Sequence, residues 1–335
     1  MKKQIIRTLC SAKKPAHLIL HVTNNCNQRC GTCFADIQET PADELSSNEI
    51  KKAADHLDRL LWLEISGGEP FLRKDLADIC SLFKTKSISI PTNGFDHEQI
   101  CGITKKIRQK TCAELTIAVS IDGFEKTNDY IRAPGSFKKA VQTLEKLKQI
   151  EGIRVKVNTV ICEKNYSEII EFMKFIRKYE IAFHSVIFKR GNEDHSDFSL
   201  PSYDKLLAIK NEVFSIWSEY GYGLAGIDKQ LLRKYQRAMY NASLSVIRGK
   251  KQIPPCLAGR HHLVIYSNGD VSFCELGGSI GNMREAEMEN ILHSAAAENK
   301  RGFIREKKCF CYHNCNMLDN IILNPAQYFR LITGY

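Results

Sequence analysis

His17-Leu18-Ile19-Leu20-His21-Val22-Thr23-Asn24-Asn25-Cys26-Asn27-Gln28-Arg29-Cys30-Gly31-Thr32-Cys33-Phe34 reads as a strand that runs directly into a loop carrying three cysteines. Leu18, Ile19, Leu20 and Val22 supply the apolar, β-branched strand character. The cysteine spacing, three residues and then two, lets one loop wrap three thiolates around a single inorganic centre. No fourth cysteine lies nearby. A centre with three protein ligands keeps a coordination position open, and open positions are where substrates bind. The stretch therefore points to catalysis rather than to a closed structural site.

Working outward, five further strand candidates follow: 61–65, 87–90, 115–119, 155–160 and 184–188. Amphipathic segments alternate with them. One starts at Ser46, with Glu49 three residues later as a capping box. Others span roughly 71–84, 97–110, 136–150 and 166–179. Six strands alternating with helices predict a parallel α/β sheet, too short for eight barrel units and so a partial, open (β/α)6 TIM-like barrel. Gly67-Gly68-Glu69-Pro70, Thr92-Asn93-Gly94 and Ser120-Ile121-Asp122-Gly123 each follow a strand. Strand C-terminal ends carry the chemistry in such architectures.

The chain divides into an extension at 1–16, the barrel at 17–200, a two-helix linker at 201–250 and a cysteine-rich hairpin and helix extension at 251–335. Asn268-Gly269 between Leu263–Ser267 and Val271–Phe273 is the hairpin signal.

The 335 residues are 43% hydrophobic and 26% charged, as in an ordinary globular protein. No apolar run approaches the ~20 residues that cross a bilayer. No signal peptide is present, so a cytoplasmic location is expected. The formal charge of +10 is spread over helical patterns such as Lys138-Lys139 and Lys307-Lys308. Without a dense basic block, solvated faces are expected rather than a nucleic-acid surface. Thirteen cysteines without an export signal argue for metal or redox chemistry rather than disulfides.

Cys26, Cys30 and Cys33 resemble the C-x3-C-x2-C signature of radical S-adenosylmethionine (SAM) enzymes, which lies in the loop after the first barrel strand. The resemblance covers about residues 15–195 and includes Gly67-Gly68-Glu69-Pro70, which in the family contacts the SAM amino group. It implies a [4Fe-4S] cluster on three thiolates, SAM on the fourth iron, and an electron donor such as flavodoxin or ferredoxin. Reductive cleavage of SAM would release a 5′-deoxyadenosyl radical. Asn93, Ser120 and Arg132 are expected at the SAM ribose and carboxylate, for which an arginine fork is suited. Asn93-Gly94 and Asp122-Gly123 equally fit plain turn chemistry. Thr32 stands where the family often has an aromatic residue near the adenine, and Phe34 is the ring available instead. Read from the residues alone, a zinc site using His21 is the alternative.

Cys256, Gly269 and Cys274 resemble the C-x9-15-G-x4-C opening of SPASM and Twitch extensions in the same superfamily, with Cys309, Cys311 and Cys315 completing the set. One auxiliary [4Fe-4S] cluster is implied. Five cysteines exceed the four that one cluster needs. Cys256, Cys274 and Cys315 are the expected ligands, with Cys309 or Cys311 as the fourth. A zinc knuckle is the alternative.

Of the dispersed cysteines, Cys10, Cys80, Cys101 and Cys112 read as small buried hydrophobes. Cys162 follows strand five at the barrel mouth, where a thiol would donate a hydrogen atom to a substrate radical or be structural. His184, His195, His261 and His262 are open between acid–base and structural roles. The expected reaction is hydrogen abstraction for dehydrogenation or epimerisation of a small, carbohydrate-like substrate, with a phosphate or nucleotide handle suited to the basic charge. That preference rests on the cluster loop beginning only 25 residues into the chain, which leaves little room for a leader-recognition domain. A peptide maturase working on a ribosomally made peptide is the second expectation, and a non-catalytic iron–sulfur electron carrier the third.

Overall fold

The computed structural model describes residues 15–35, 43–190 and 196–333; Cys10 and His195 lie outside them. All six expected strands form: β1 (His17–Thr23), β2 (Arg59–Gly67), β3 (Lys84–Thr92), β4 (Glu114–Ser120), β5 (Ile153–Ile161) and β6 (Phe183–Phe188). Each pairs in parallel with the next in chain order. Between them run α1 (Ser47–Leu57), α2 (Leu76–Leu82), α3 (His97–Lys110), α4 (Glu125–Ile131), α5 (Ser136–Leu147), α6 (Glu163–Tyr166) and α7 (Ile169–Arg177). The capping box opens α1, with Ser46 N–H donating to Glu49 Oε2 at 2.7 Å and Glu49 N–H to Ser46 Oγ at 3.3 Å. The helix α2 starts later than its pattern suggests, because Pro70–Leu72 first forms a 3-10 turn. The polar helix α4 forms although its sequence has no apolar period to announce it.

Strand alternation sorts side chains onto two faces. Leu18, Leu20, Leu63, Ile65, Ile88, Ile90, Ile117, Val119 and Val157 face outward into a core shared with the helices. There α7 buries Ile169, Phe172, Met173 and Ile176. The opposite row, fixed by register, runs Ile19, Glu64, Ser89 and on through Ala118, Lys156 and Asn158 to Ser185. A barrel whose inward face is this polar cannot close on itself as a dry core, so it leaves room for a ligand.

Among the described residues the sheet is open and has nine strands, in the order β6-β5-β4-β3-β2-β1-β7-β8-β9. The expected hairpin, β7 (His262–Ile265) and β8 (Asp270–Ser272), continues the barrel sheet: β7 pairs in parallel with β1, placing His17 opposite His262 and Leu20 opposite Ile265. Leu263, Val264 and Ile265 are fully buried there, so the hairpin covers the edge that β1 would otherwise expose. A two-residue strand, β9 (Gly281–Asn282), ends the sheet.

The two linker helices form as α8 (Tyr203–Glu219) and α9 (Gly226–Gly249). After β9 come α10 (Met288–Leu292), α11 (Ala295–Arg305), α12 (Asn314–Ile322) and α13 (Pro325–Thr333). Leu231, Tyr235 and Met239 of α9 pack with Met317 and Ile321 of α12 and with Leu61 of β2 in a second apolar cluster. Among the described residues no helix is long and apolar enough to cross a membrane.

Candidate active site

The end of β2 is pressed against the three-cysteine loop. Gly68 N–H donates to Thr23 O and Glu69 N–H to Asn25 O, both at 2.8 Å. Gly67 sits at φ +116°, and a Cβ on Gly68 would overlap the Asn25 carbonyl. Two glycines are therefore what lets strand and loop touch. Asn93, at the end of β3, donates from Nδ2 to Asn27 Oδ1 at 2.6 Å and ties a third element to the loop.

Within this frame the thiols of Cys26, Cys30 and Cys33 are near enough to act on one another. Burial pushes Cys26 up, with Cys33 adding to it. Cys30 is pushed up to about 11, chiefly by burial and opposed by Arg132. Arg132 Nη1 lies 3.8 Å from Cys30 Sγ, and Arg132 Nε lies 2.8 Å from Asp122 Oδ2. Three thiols on one loop, one of them beside a buried cation, form a donor set that suits an iron–sulfur cluster.

Glu69 supplies the test for SAM. Its carboxylate is buried, accepting Asn93 N–H at 2.6 Å and Phe71 N–H at 3.2 Å. Burial pushes it up to about 7, and it has no ion-pair partner among the described residues. A ligand ammonium beside Cys26 would give that carboxylate the counter-charge it lacks. The residues present fit SAM. Ser120 closes β4 on the inward row, opposite Asn158.

The remaining expected site residues take the following positions. Cys162 is fully buried and caps α6: Asn165 Oδ1 accepts its N–H at 2.9 Å, and its own sulfur accepts from the helix backbone. Phe34 is 45% exposed, with the Arg190 guanidinium 3.8 Å above its ring. His184 Nε2 meets Thr159 Oγ1 at 2.7 Å in a buried position, and burial pushes it down to about 3. His262 binds Asp319 at 2.8 Å in the buried base of the barrel.

Among the C-terminal cysteines, Cys256, Cys274, Cys309 and Cys311 act on one another. Cys256 is pushed up to about 12, first by burial and then by Cys311, Cys274 and Cys309. Cys274 is pushed up to about 11 by burial and then by Cys311 and Cys309. The Cys315 thiol donates to Glu64 Oε2 at 2.8 Å from the first turn of α12. The neighbours that act on it are Glu64, Glu275 and Arg190.

Cys315 also lines a cavity of about 290 Å³ inside the barrel, with Glu64, Lys156, Asn158, Arg190 and Phe34. Glu275 Oε2 binds Arg190 Nη2 at 2.9 Å, and Glu275 Oε1 binds His21 Nε2 at 3.0 Å. A larger cavity of about 760 Å³ lies on the outside beside Cys256 and Arg301. Only the smaller one joins the inward strand row to the cysteine loop through Phe34. Glu64, Lys156, Arg190 and Glu275 were missed in the sequence. Glu64 and Lys156 did leave a trace there, as lone charges inside apolar strand runs.

An open (β/α)6 sheet with a three-thiol loop at the end of β1, a glycine pair at the end of β2 and a second thiol group in a sheet extension defines an iron–sulfur protein that binds SAM. Residues 20–176 match the model of the radical SAM superfamily, and residues 256–316 match that of the iron–sulfur cluster-binding SPASM domain. The chain belongs to the radical SAM superfamily and carries a SPASM-type domain; together these imply SAM, a [4Fe-4S] cluster and auxiliary iron–sulfur binding. Over 172 residues it is 28% identical to the mycofactocin maturase MftC of Mycolicibacterium smegmatis, covering 49% of this chain and 42% of that protein. Over 200 residues it is 31% identical to the Fe-coproporphyrin III synthase of Methanosarcina barkeri, covering 55% of this chain and 48% of that one. The chain thus spans about half the length of these curated relatives. Streptococcus suis SuiB bound to SAM shares the fold at a TM-score of 0.66 and 17% identity, over 90% of this chain and 72% of SuiB.

Proposed function

We propose that the protein uses a 5′-deoxyadenosyl radical to abstract a hydrogen atom from a substrate held in the barrel cavity. The supporting observation is that Phe34, next to Cys33, and the polar inward row of the strands line one cavity of about 290 Å³. When bound, the cluster and SAM supply the one-electron cleavage that makes the radical. In this reading Cys26, Cys30 and Cys33 hold the cluster. Glu69 takes the SAM amino group, Arg132 the carboxylate, and Asn93 and Ser120 the ribose side. Phe34, beside the cavity, contacts substrate rather than adenine. Cys256, Cys274, Cys309 and Cys311 hold one auxiliary [4Fe-4S] cluster. An external one-electron donor of the flavodoxin or ferredoxin kind and a reducing, cytoplasmic setting go with this chemistry.

The substrate is proposed to be one residue of a peptide. SuiB, which shares the fold, is also known bound to the precursor peptide SuiA. A cavity of this size suits a single inserted side chain. The polar lining favours a second reading, a small polyol or phosphorylated sugar, through Lys156, Asn158 and Ser185.

Anaerobically reconstituted protein given a reductant and SAM should release 5′-deoxyadenosine, and the Cys26→Ala, Cys30→Ala and Cys33→Ala variants should not. No release from the native protein would leave only the electron-carrier reading. If lysate stimulates the release, prior protease digestion of that lysate should abolish the stimulation for a peptide and spare it for a polyol.

A further inference from the structure

We infer that an acidic one-electron carrier protein of the ferredoxin kind docks on the face around Cys274 and Cys309, so that the electron for SAM cleavage enters the protein at its auxiliary site. This rests on the function proposed above and gives its electron donor a place on the molecule.

The face has an apolar centre. Among the described residues eight large apolar or aromatic side chains are exposed, and four of them are Ile253, Leu276, Phe303 and Phe310. Contacts tie these four to the cysteines. Phe310 stands between Cys309 and Cys311 in the chain. A Cβ on Gly277, next to Leu276, would stand 2.9 Å from Cys274 Sγ and 3.2 Å from Lys300 Cε. Lys300 Nζ in turn lies 5.3 Å from the centre of the Phe303 ring. Lys308 N–H donates to Phe303 O at 3.2 Å, which holds the end of α11 beside Cys309. Gln252 Oε1 accepts Cys311 N–H at 2.9 Å and brings its neighbour Ile253 alongside. Apolar side chains exposed singly need no explanation, but a group of four marks an interaction site.

The rim is basic. Residues 298–308 carry five basic side chains and two acidic ones, and Lys250 and Lys251 precede Gln252. Half of the formal charge of +10 thus stands on two short stretches that the fold brings together at the thiols. Glu298 is paired with Arg301 and Glu306 with Lys308, which leaves Lys300, Arg305 and Lys307 in surplus. An apolar centre inside a rim of one sign suits a transient partner, steered by charge and held by a small buried area. The charge calls for an acidic partner, and the thiols call for one that carries an electron. A phosphate backbone would be drawn by the same lysines, but nothing in it would centre on a redox site. At each docking the carrier is oxidised by one electron and the auxiliary site reduced by one, with no bond made and no proton moved.

The test titrates an acidic [4Fe-4S] ferredoxin into the anaerobically reconstituted protein, with binding read by calorimetry at low and high salt. Native protein should bind at low salt and weaken as salt rises. Lys307→Glu/Lys308→Glu should weaken the low-salt binding by about tenfold. Phe303→Ser should weaken it at both salts. Lys105→Glu/Lys106→Glu, on α3, changes the net charge equally and should leave binding as it is. Release of 5′-deoxyadenosine driven by reduced ferredoxin should fall in the Lys307/Lys308 variant, whereas release driven by light and a deazaflavin, which needs no docking face, should not. Absent binding to native protein, or equal weakening by the α3 variant, overturns the docking site. Ferredoxin binding unchanged by Lys307→Glu/Lys308→Glu, with single-stranded RNA binding lost, would make this a nucleic-acid surface and overturn it too. No release with the deazaflavin overturns the underlying function instead, and the calorimetry still reads the docking.

Discussion

Arg132 Nε lies 2.8 Å from Asp122 Oδ2, an ion pair almost wholly withdrawn from solvent at the C-terminal end of β4. Burial works against the guanidinium charge, but Asp122 and then Cys30 outweigh it, so Arg132 stays firmly cationic. The pair therefore has two duties: it is structural, and it keeps a positive charge 3.8 Å from the Cys30 thiol. Removing one partner of a buried pair costs ~3–5 kcal/mol, because the other charge is stranded. Arg132→Ala should lower the melting temperature and abolish SAM binding in anaerobic calorimetry. The Asp122→Asn/Arg132→Ala double variant should recover most of the melting temperature without recovering SAM binding. Restored binding in the double variant would show that Arg132 serves stability alone.

Gly68 gives a second, purely steric prediction. A Cβ there has nowhere to go except into the Asn25 carbonyl, with Cys26 Cβ only 3.1 Å away. Gly68→Ala should therefore displace the cysteine loop while leaving the hydrophobic core intact. The expected result is loss of one cluster's iron, with little change in far-ultraviolet circular dichroism. Full iron content in this variant would mean that the loop tolerates the displacement.

How much of this was legible beforehand depends on whether a feature is local. The six strands follow from β-branched runs, and the loop at 26–33 from spacing; both are carried by neighbours in sequence. The hairpin at 263–273 was equally readable from Asn268-Gly269, but its docking against β1 was not. Parallel pairing of His17 with His262 spans 245 residues and has no sequence signature. The cysteines show the same limit. The first turn of α12 turns the Cys315 thiol toward Glu64, a contact that spacing does not announce. Cys162 was placed correctly at the end of β5, but its side chain serves as a helix cap. A one-dimensional reading cannot tell which way a thiol faces.

The proposed ligand set of Cys256, Cys274, Cys309 and Cys311 predicts an unequal response to substitution. Serine at Cys256, Cys274, Cys309 or Cys311 should each lower bound iron by one cluster's worth and remove its signal from the paramagnetic resonance spectrum of the reduced protein. Cys315→Ser should retain the iron of the native protein. Loss of iron in all five variants, or in Cys315→Ser with retention in Cys309→Ser, would return Cys315 to the ligand set.

At the base of the barrel Asp319 accepts from His17 Nδ1 at 3.0 Å and from His262 Nδ1 at 2.8 Å, tying α12 to β1 and β7. Burial alone would raise its carboxyl, but the His17 charge and the hydrogen bonds from both rings pull it down to about 2. His17 is raised above 6.5, because Asp319 outweighs the effect of burial. The aspartate contribution, on the order of 2 kcal/mol from its depression below 3.8, is present above 3.8 and lost as pH falls toward 2. The histidine contribution is complete below 6.5 and lost as pH rises through its elevated value. Acid dissolves sulfide clusters, so the alkaline limb is the one to measure. Native protein should lose melting temperature as pH rises from 6.5, more steeply than Asp319→Asn, which should be less stable at 6.5 and nearly flat above it. Parallel curves for the two proteins would show that His17 is neutral throughout and that the tie is an uncharged hydrogen bond.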